Sequence, residues 1–83
     1  MVVTWIGLDG INLIKGGFVM LCNRLFEIRK DKGYTQQQLA DLVGCSRQTI
    51  NYIENYLMIP KVNLGLRLSR VLNVTFEELF YFV

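Results

Sequence analysis

Apolar residues recur along this chain in two different rhythms. Val2-Val3-Thr4-Trp5-Ile6 is a run of strand formers, and Asp9-Gly10 between apolar flanks is a dipeptide favoured in tight turns. The opening residues therefore predict a short β-hairpin. Gly16-Gly17 breaks the chain ahead of Phe18-Val19-Met20-Leu21-Cys22, a candidate third strand. After Cys22 the spacing becomes helical. Leu21, Leu25 and Ile28 recur at intervals of four and three, and Gly33 supplies a left-handed stop.

Thr35-Gln36-Gln37-Gln38 has the form of a capping box, in which a hydroxyl and an amide three residues apart satisfy the orphan groups of a helix start. It opens a second helix running through Leu39, Ala40 and Val43 to Gly44. Ser46 is a good N-cap for a third helix, short and polar except for one narrow face carrying Ile50 and Ile53. Pro60 marks a loop, residues 62–72 carry a fourth apolar stripe, and Asn73 suits a left-handed stop. Thr75-Phe76-Glu77-Glu78 is a second capping box that opens a last short helix. The expected core is Leu25, Ile28, Leu39, Ala40, Val43, Ile50, Ile53, Val62, Leu68, Leu72, Val74 and Leu79.

Two short helices joined by a turn such as Gly44-Cys45-Ser46 form the local signature of a helix-turn-helix, whose second helix enters the major groove of DNA. The ordered succession Leu25-Phe26-Glu27-Ile28-Arg29, Lys32-Gly33-Tyr34-Thr35-Gln36, Leu39-Ala40, Val43-Gly44-Cys45-Ser46-Arg47-Gln48-Thr49-Ile50, Ile53-Glu54-Asn55, Pro60 and Val74-Thr75-Phe76-Glu77-Glu78-Leu79-Phe80 resembles the phage-repressor and Cro-type helix-turn-helix family. The resemblance spans about two-thirds of the chain and is more specific than a lone helix-turn-helix spacing. It implies a mainly α, five-helix domain over residues 22–83, dimeric on a near-palindromic operator, with base contacts from residues 46–55. It also implies that Gln36 and Asn55 hold backbone phosphate, and that Arg29 and Glu54 form an ion pair tying the first helix to the third.

Geometry adds to this. At about 100° per residue, with Ile50 and Ile53 inward, Gln48, Asn51, Tyr52 and Asn55 point away from the core and Arg47 lies on the flank. Arginine matches guanine O6 and N7, glutamine or asparagine matches adenine N6 and N7, and tyrosine offers a hydroxyl or a face for the thymine methyl. The candidate DNA-binding set is Gln36, Ser46, Arg47, Gln48, Thr49, Asn51, Tyr52 and Asn55. Taken singly, each is as well explained as the solvated face of a short helix; their arrival together favours DNA.

The chain also departs from the family pattern. Tyr56-Leu57-Met58-Ile59 stands where glycine and basic residues are usual, so a reshaped turn and a lost phosphate contact are expected. Gly65 replaces an expected alanine, a loss of about 1 kcal/mol unless close packing compensates. Residues 1–21 lie outside the resemblance and read as a β extension, with Met20 an alternative start behind Lys15-Gly16-Gly17.

Composition narrows the picture further. With 83 residues, 52% of them apolar, the chain suits one globular domain. A net charge of +2 neither proves nor excludes a nucleic-acid partner. No apolar run reaches the roughly 20 residues of a membrane span, and no signal-peptide pattern opens the chain, so a cytoplasmic place in a bacterial, archaeal or phage-encoded setting is expected. Cys22 and Cys45 without any histidine make no zinc site, and reduced thiols are expected. No cofactor is expected, and no acid, base and nucleophile are grouped, so an enzyme is the least favoured class. The aromatic tail Leu79-Phe80-Tyr81-Phe82-Val83 is the expected dimer interface, paired with or packed on the N-terminal β element. A protein-interaction module on this scaffold, or an antitoxin that binds both operator and partner protein, stays open as an alternative.

Overall fold

A computed structural model describes residues 21–83. The expected hairpin at Asp9-Gly10 and the β reading of residues 1–20 lie outside the described residues. Strand β1 (Leu21–Asn23) is followed by helices α1 (Leu25–Asp31), α2 (Gln36–Val43), α3 (Arg47–Glu54), α4 (Val62–Leu72) and α5 (Phe76–Leu79), and the chain closes with strand β2 (Phe80–Phe82).

The helix ends follow the local chemistry of the sequence. Thr35 Oγ1 accepts from the Gln38 N–H at 3.0 Å while Gln38 Oε1 accepts from the Thr35 N–H at 2.8 Å, a closed capping box. Thr75 and Glu78 repeat it at the start of α5. Ser46 Oγ accepts from the Thr49 N–H at 3.1 Å and caps α3. Gly33, Gly44 and Asn73 adopt φ of 85°, 78° and 57°, the left-handed region that ends a helix without blocking its last carbonyls.

The two strands form an antiparallel pair, Leu21 opposite Phe82, Cys22 opposite Tyr81 and Asn23 opposite Phe80. This changes two expectations. Leu21 belongs to a strand rather than to the face of the first helix, because α1 begins only at Leu25, where Asn23 Oδ1 accepts its N–H at 3.0 Å. The tail also has a strand partner inside its own chain, and Leu79 and Phe80 are buried in the single chain's core, leaving Tyr81, Phe82 and Val83 outward.

The core gathers Leu25, Leu39, Ile50, Ile53, Leu68, Leu72 and Leu79, all fully buried, with Ile28, Ala40, Val43, Leu64 and Phe80 around them. Val62, expected inside, is 71% exposed. The buried stripe of α4 runs Leu64, Leu68, Leu72 at four-residue steps, and Val62 lies about 200° round the helix from Leu64. Val74 is half-buried against the core. Gly65 earns its place by proximity: a Cβ there would stand 2.8 Å from Phe76 Cε1, in a ring tilted against Phe80 with centroids 5.2 Å apart.

Candidate nucleic-acid interface

Helix α3 exists as a presenting element because Ile50 and Ile53 lie at zero exposure in the core and turn Arg47, Gln48 and Tyr52 outward. Its N-terminus is fixed by the Ser46 cap and the left-handed Gly44, its C-terminus by an ion pair and a tyrosine. Arg29 Nε donates to Glu54 Oε2 at 2.6 Å and Nη2 donates to Oε1 at 3.2 Å, while Nη1 donates to the Tyr34 carbonyl at 2.9 Å. The two side chains are only 7% and 3% exposed, so this pair ties α1 to α3 as the resemblance implied. The Phe26 ring covers the guanidinium, 5.3 Å from centroid to Cζ.

At Tyr56 the turn is not reshaped. It keeps φ of 63° despite carrying a tyrosine, and the side chain offsets the strain by bridging to β1. Its hydroxyl donates to the Asn23 carbonyl at 3.1 Å and accepts the Asn23 N–H at 3.3 Å, and Asn23 Nδ2 donates to the Ile53 carbonyl at 2.9 Å. Asn23 and Tyr56 thus anchor the end of α3. Sequence reasoning missed both, since the two residues are 33 positions apart and nothing local links them.

The candidate contact residues separate into three groups. Ser46 and Thr49 are engaged in the cap, their hydroxyls 2.9 Å apart. Gln36, Asn51 and Asn55 are linked in a polar chain that runs from part-buried Gln36 and Asn51 to exposed Asn55. Gln36 Nε2 donates to Glu54 Oε1 at 2.9 Å and reaches Asn51 Oδ1 at 3.5 Å, and Asn55 Nδ2 donates to Asn51 Oδ1 at 2.8 Å. Arg47, Gln48 and Tyr52 project outward. Arg47 Nη1 donates to Gln36 Oε1 at 3.2 Å, and Gln48 Nε2 donates to the Tyr52 hydroxyl at 2.7 Å.

A cleft of about 440 Å³ opens beside the start of α2, lined among others by Lys30, Thr35, Gln36 and Arg47. Three cationic side chains, Lys30, Arg47 and the Glu54-paired Arg29, share this space with the start of a helix, a combination suited to an anion. Burial pushes the Cys45 thiol up, with Arg67 opposing, so the turn carries an ordinary neutral thiol. The Arg67 Nε instead donates to the Val43 carbonyl at 2.9 Å and closes the C-terminus of α2.

These elements are those of a helix-turn-helix domain. A family model described as helix-turn-helix matches residues 25–79, and the chain belongs to that family. Similar curated proteins include an uncharacterized HTH-type transcriptional regulator of Archaeoglobus fulgidus, 39% identical over 59 residues, covering 71% of this chain and 84% of that protein. The HTH-type transcriptional regulator YgzD of Bacillus subtilis is 32% identical over 59 residues, covering 71% of this chain and 89% of its own. Among solved structures, the N-terminal DNA-binding domain of SinR from Bacillus subtilis aligns with a TM-score of 0.61 at 31% identity, over 65% of this chain and 80% of that one. The restriction-modification controller protein C.AhdI from Aeromonas hydrophila aligns with a TM-score of 0.63 at 31% identity, over 66% and 83%.

Proposed function

We propose that the chain is a DNA-binding transcriptional regulator, acting as a repressor, that lays α3 in the major groove of an operator. The observation that carries this is the outward triplet Arg47, Gln48 and Tyr52 on a helix whose opposite face is locked into the core by Ile50 and Ile53. Arg47 reads guanine, and Gln48 and Tyr52 read neighbouring base edges. Lys30 and the amides at the start of α2 take a flanking phosphate in the cleft beside Gln36, and Asn55 takes another beyond α3. Family membership and the names of the relatives support the same reading.

Two copies bind a near-palindromic site, their recognition helices about 34–36 Å apart. Support for a dimer comes from the unburied apolar surface: Tyr81, Phe82 and Val83 are 37%, 61% and 68% exposed, next to an apolar groove bordered by Ile59, Val62 and Phe76. Titrating salt against binding to random duplex DNA tests the class of function. Affinity that falls steeply as salt rises is the expected result, and a chain with no affinity for duplex DNA at low salt would instead be a protein-interaction module.

A further inference from the structure

Gln36, the first residue of α2, stands between the buried ion pair and the outward face of α3. An amide has a nitrogen that donates and an oxygen that accepts, so its neighbours decide which way round it lies. Here both neighbours are one-sided. On the inner side Gln36 Nε2 donates to Glu54 Oε1 at 2.9 Å, and a carboxylate only accepts. On the outer side Gln36 Oε1 accepts from Arg47 Nη1 at 3.2 Å, and a guanidinium only donates. A half-turn of the amide would set N–H against N–H on one side and oxygen against oxygen on the other, losing both bonds. Glu54 holds its place, because its side chain is 3% exposed and Arg29 binds it through two nitrogens.

This direction bears on what Gln36 offers DNA. A phosphate oxygen accepts, so only the N–H groups of an amide serve it. The Gln36 nitrogen is turned inward, bonded to Glu54 and 3.5 Å from Asn51 Oδ1. The atom turned toward α3 is Oε1, an acceptor, and it meets Arg47. Among the described residues Gln36 is the only hydrogen-bond partner of the exposed Arg47 side chain. One N–H is engaged there, which leaves the rest of the five that a guanidinium carries for a base edge. A long side chain already held in place gives up less freedom when it binds. Resting on the proposal that α3 reads DNA, we propose that Gln36 is a positioning residue, oriented by Glu54, that holds Arg47 for the base it reads and gives phosphate nothing through its own side chain. Phosphate in the neighbouring cleft then falls to Lys30 and the first amides of α2.

The test begins with duplexes selected from a random pool by the wild-type chain and by Arg47→Ala. The position whose preference disappears in the variant is the one Arg47 reads. Wild type, Gln36→Met, Arg47→Ala and the double variant are then titrated with the selected duplex and with one changed at that position. Methionine keeps the length of the side chain and removes the amide. Each ratio compares two duplexes on one protein, so any loss of folded fraction cancels. Wild type favours the selected base pair by about tenfold or more. Gln36→Met loses about threefold or more of that ratio, and changes nothing further once Arg47 is alanine. A Gln36 that holds phosphate would instead weaken both duplexes by one factor, with Arg47 or without it, which overturns the inference while leaving DNA reading intact. So would a Gln36→Met chain that discriminates as well as wild type. An Arg47→Ala chain that keeps every preference removes Arg47 as a reader and the inference with it. A wild-type chain that selects no sequence overturns the DNA-reading proposal as well.

Discussion

Single residues in this chain carry roles that their types alone do not announce. Glu54 is the clearest: its carboxylate accepts from Arg29 and from Gln36, and Gln36 in turn holds Arg47. Because both members of the ion pair are almost fully enclosed, Glu54→Ala leaves an uncompensated guanidinium and lowers stability by about 3–5 kcal/mol. Replacing Arg29 and Glu54 together with apolar residues costs less than either single change, and chemical denaturation of the three variants measures it; additive losses would contradict a coupled pair. The outward direction of Gln48 and Tyr52 was legible from helical phase, since Ile50 and Ile53 fix which side faces in, while Arg47, expected on the flank, is exposed as well. The inward engagement of Gln36 and Asn51 was not, because it depends on the distance between α2 and α3 rather than on either helix alone.

At the scale of elements, the local signals were read most fully. Both capping boxes, the Ser46 cap and the stops at Gly33, Gly44 and Asn73 form where the sequence places them, since each is settled within four residues. Contacts between distant segments were read less fully: the tail was expected to pair with the N-terminal β element at a dimer interface, whereas β1 pairs with β2 within the chain, and the Tyr56 bridge escaped because its partner Asn23 lies far along the sequence. Tyr56→Phe removes both hydroxyl bonds to Asn23 and is expected to cost about 1 kcal/mol in denaturant unfolding; an unchanged midpoint would show that the bridge is idle.

The cap of α5 has a pH signature. Hydrogen bonds to Thr75, above all from its backbone N–H, hold the Glu78 carboxyl below its ordinary value of 4.5. A folded-state pKa below the unfolded one means stabilisation that is present above about pH 4.5 and lost as pH falls through the folded value. Thermal melts of wild type should therefore lose more stability between neutral pH and pH 3 than melts of Glu78→Gln, whose amide keeps the cap geometry without titrating. Parallel curves would remove Glu78 from the acid response.

For the whole molecule, the five-helix architecture was readable because α2, α3 and α5 announce their starts by side-chain caps, α1, α2 and α4 stop at Gly33, Gly44 and Asn73, and the apolar faces repeat at helical spacing. The tail was harder. Four large side chains in succession at residues 79–82 gave no local cue that Leu79 and Phe80 turn into the core while Tyr81 and Phe82 turn out. In the proposed dimer the interface falls to the outward residues Tyr81, Phe82 and Val83. Phe82→Lys places a charge on that surface and is expected to shift sedimentation from dimer to monomer at micromolar concentration, leaving the helical signal intact; a wild-type chain that sediments as a monomer with and without operator would remove the interface.

The central claim, that α3 reads operator DNA through its outward side chains, is met most directly by comparing wild type and Arg47→Ala on the selected operator and on random duplex under the same salt. The predicted result is a loss of about 1–3 kcal/mol on the operator with a smaller loss on random DNA, and relaxed preference at one guanine. An equal loss on both duplexes would mean that Arg47 contacts only phosphate and that the sequence is read elsewhere.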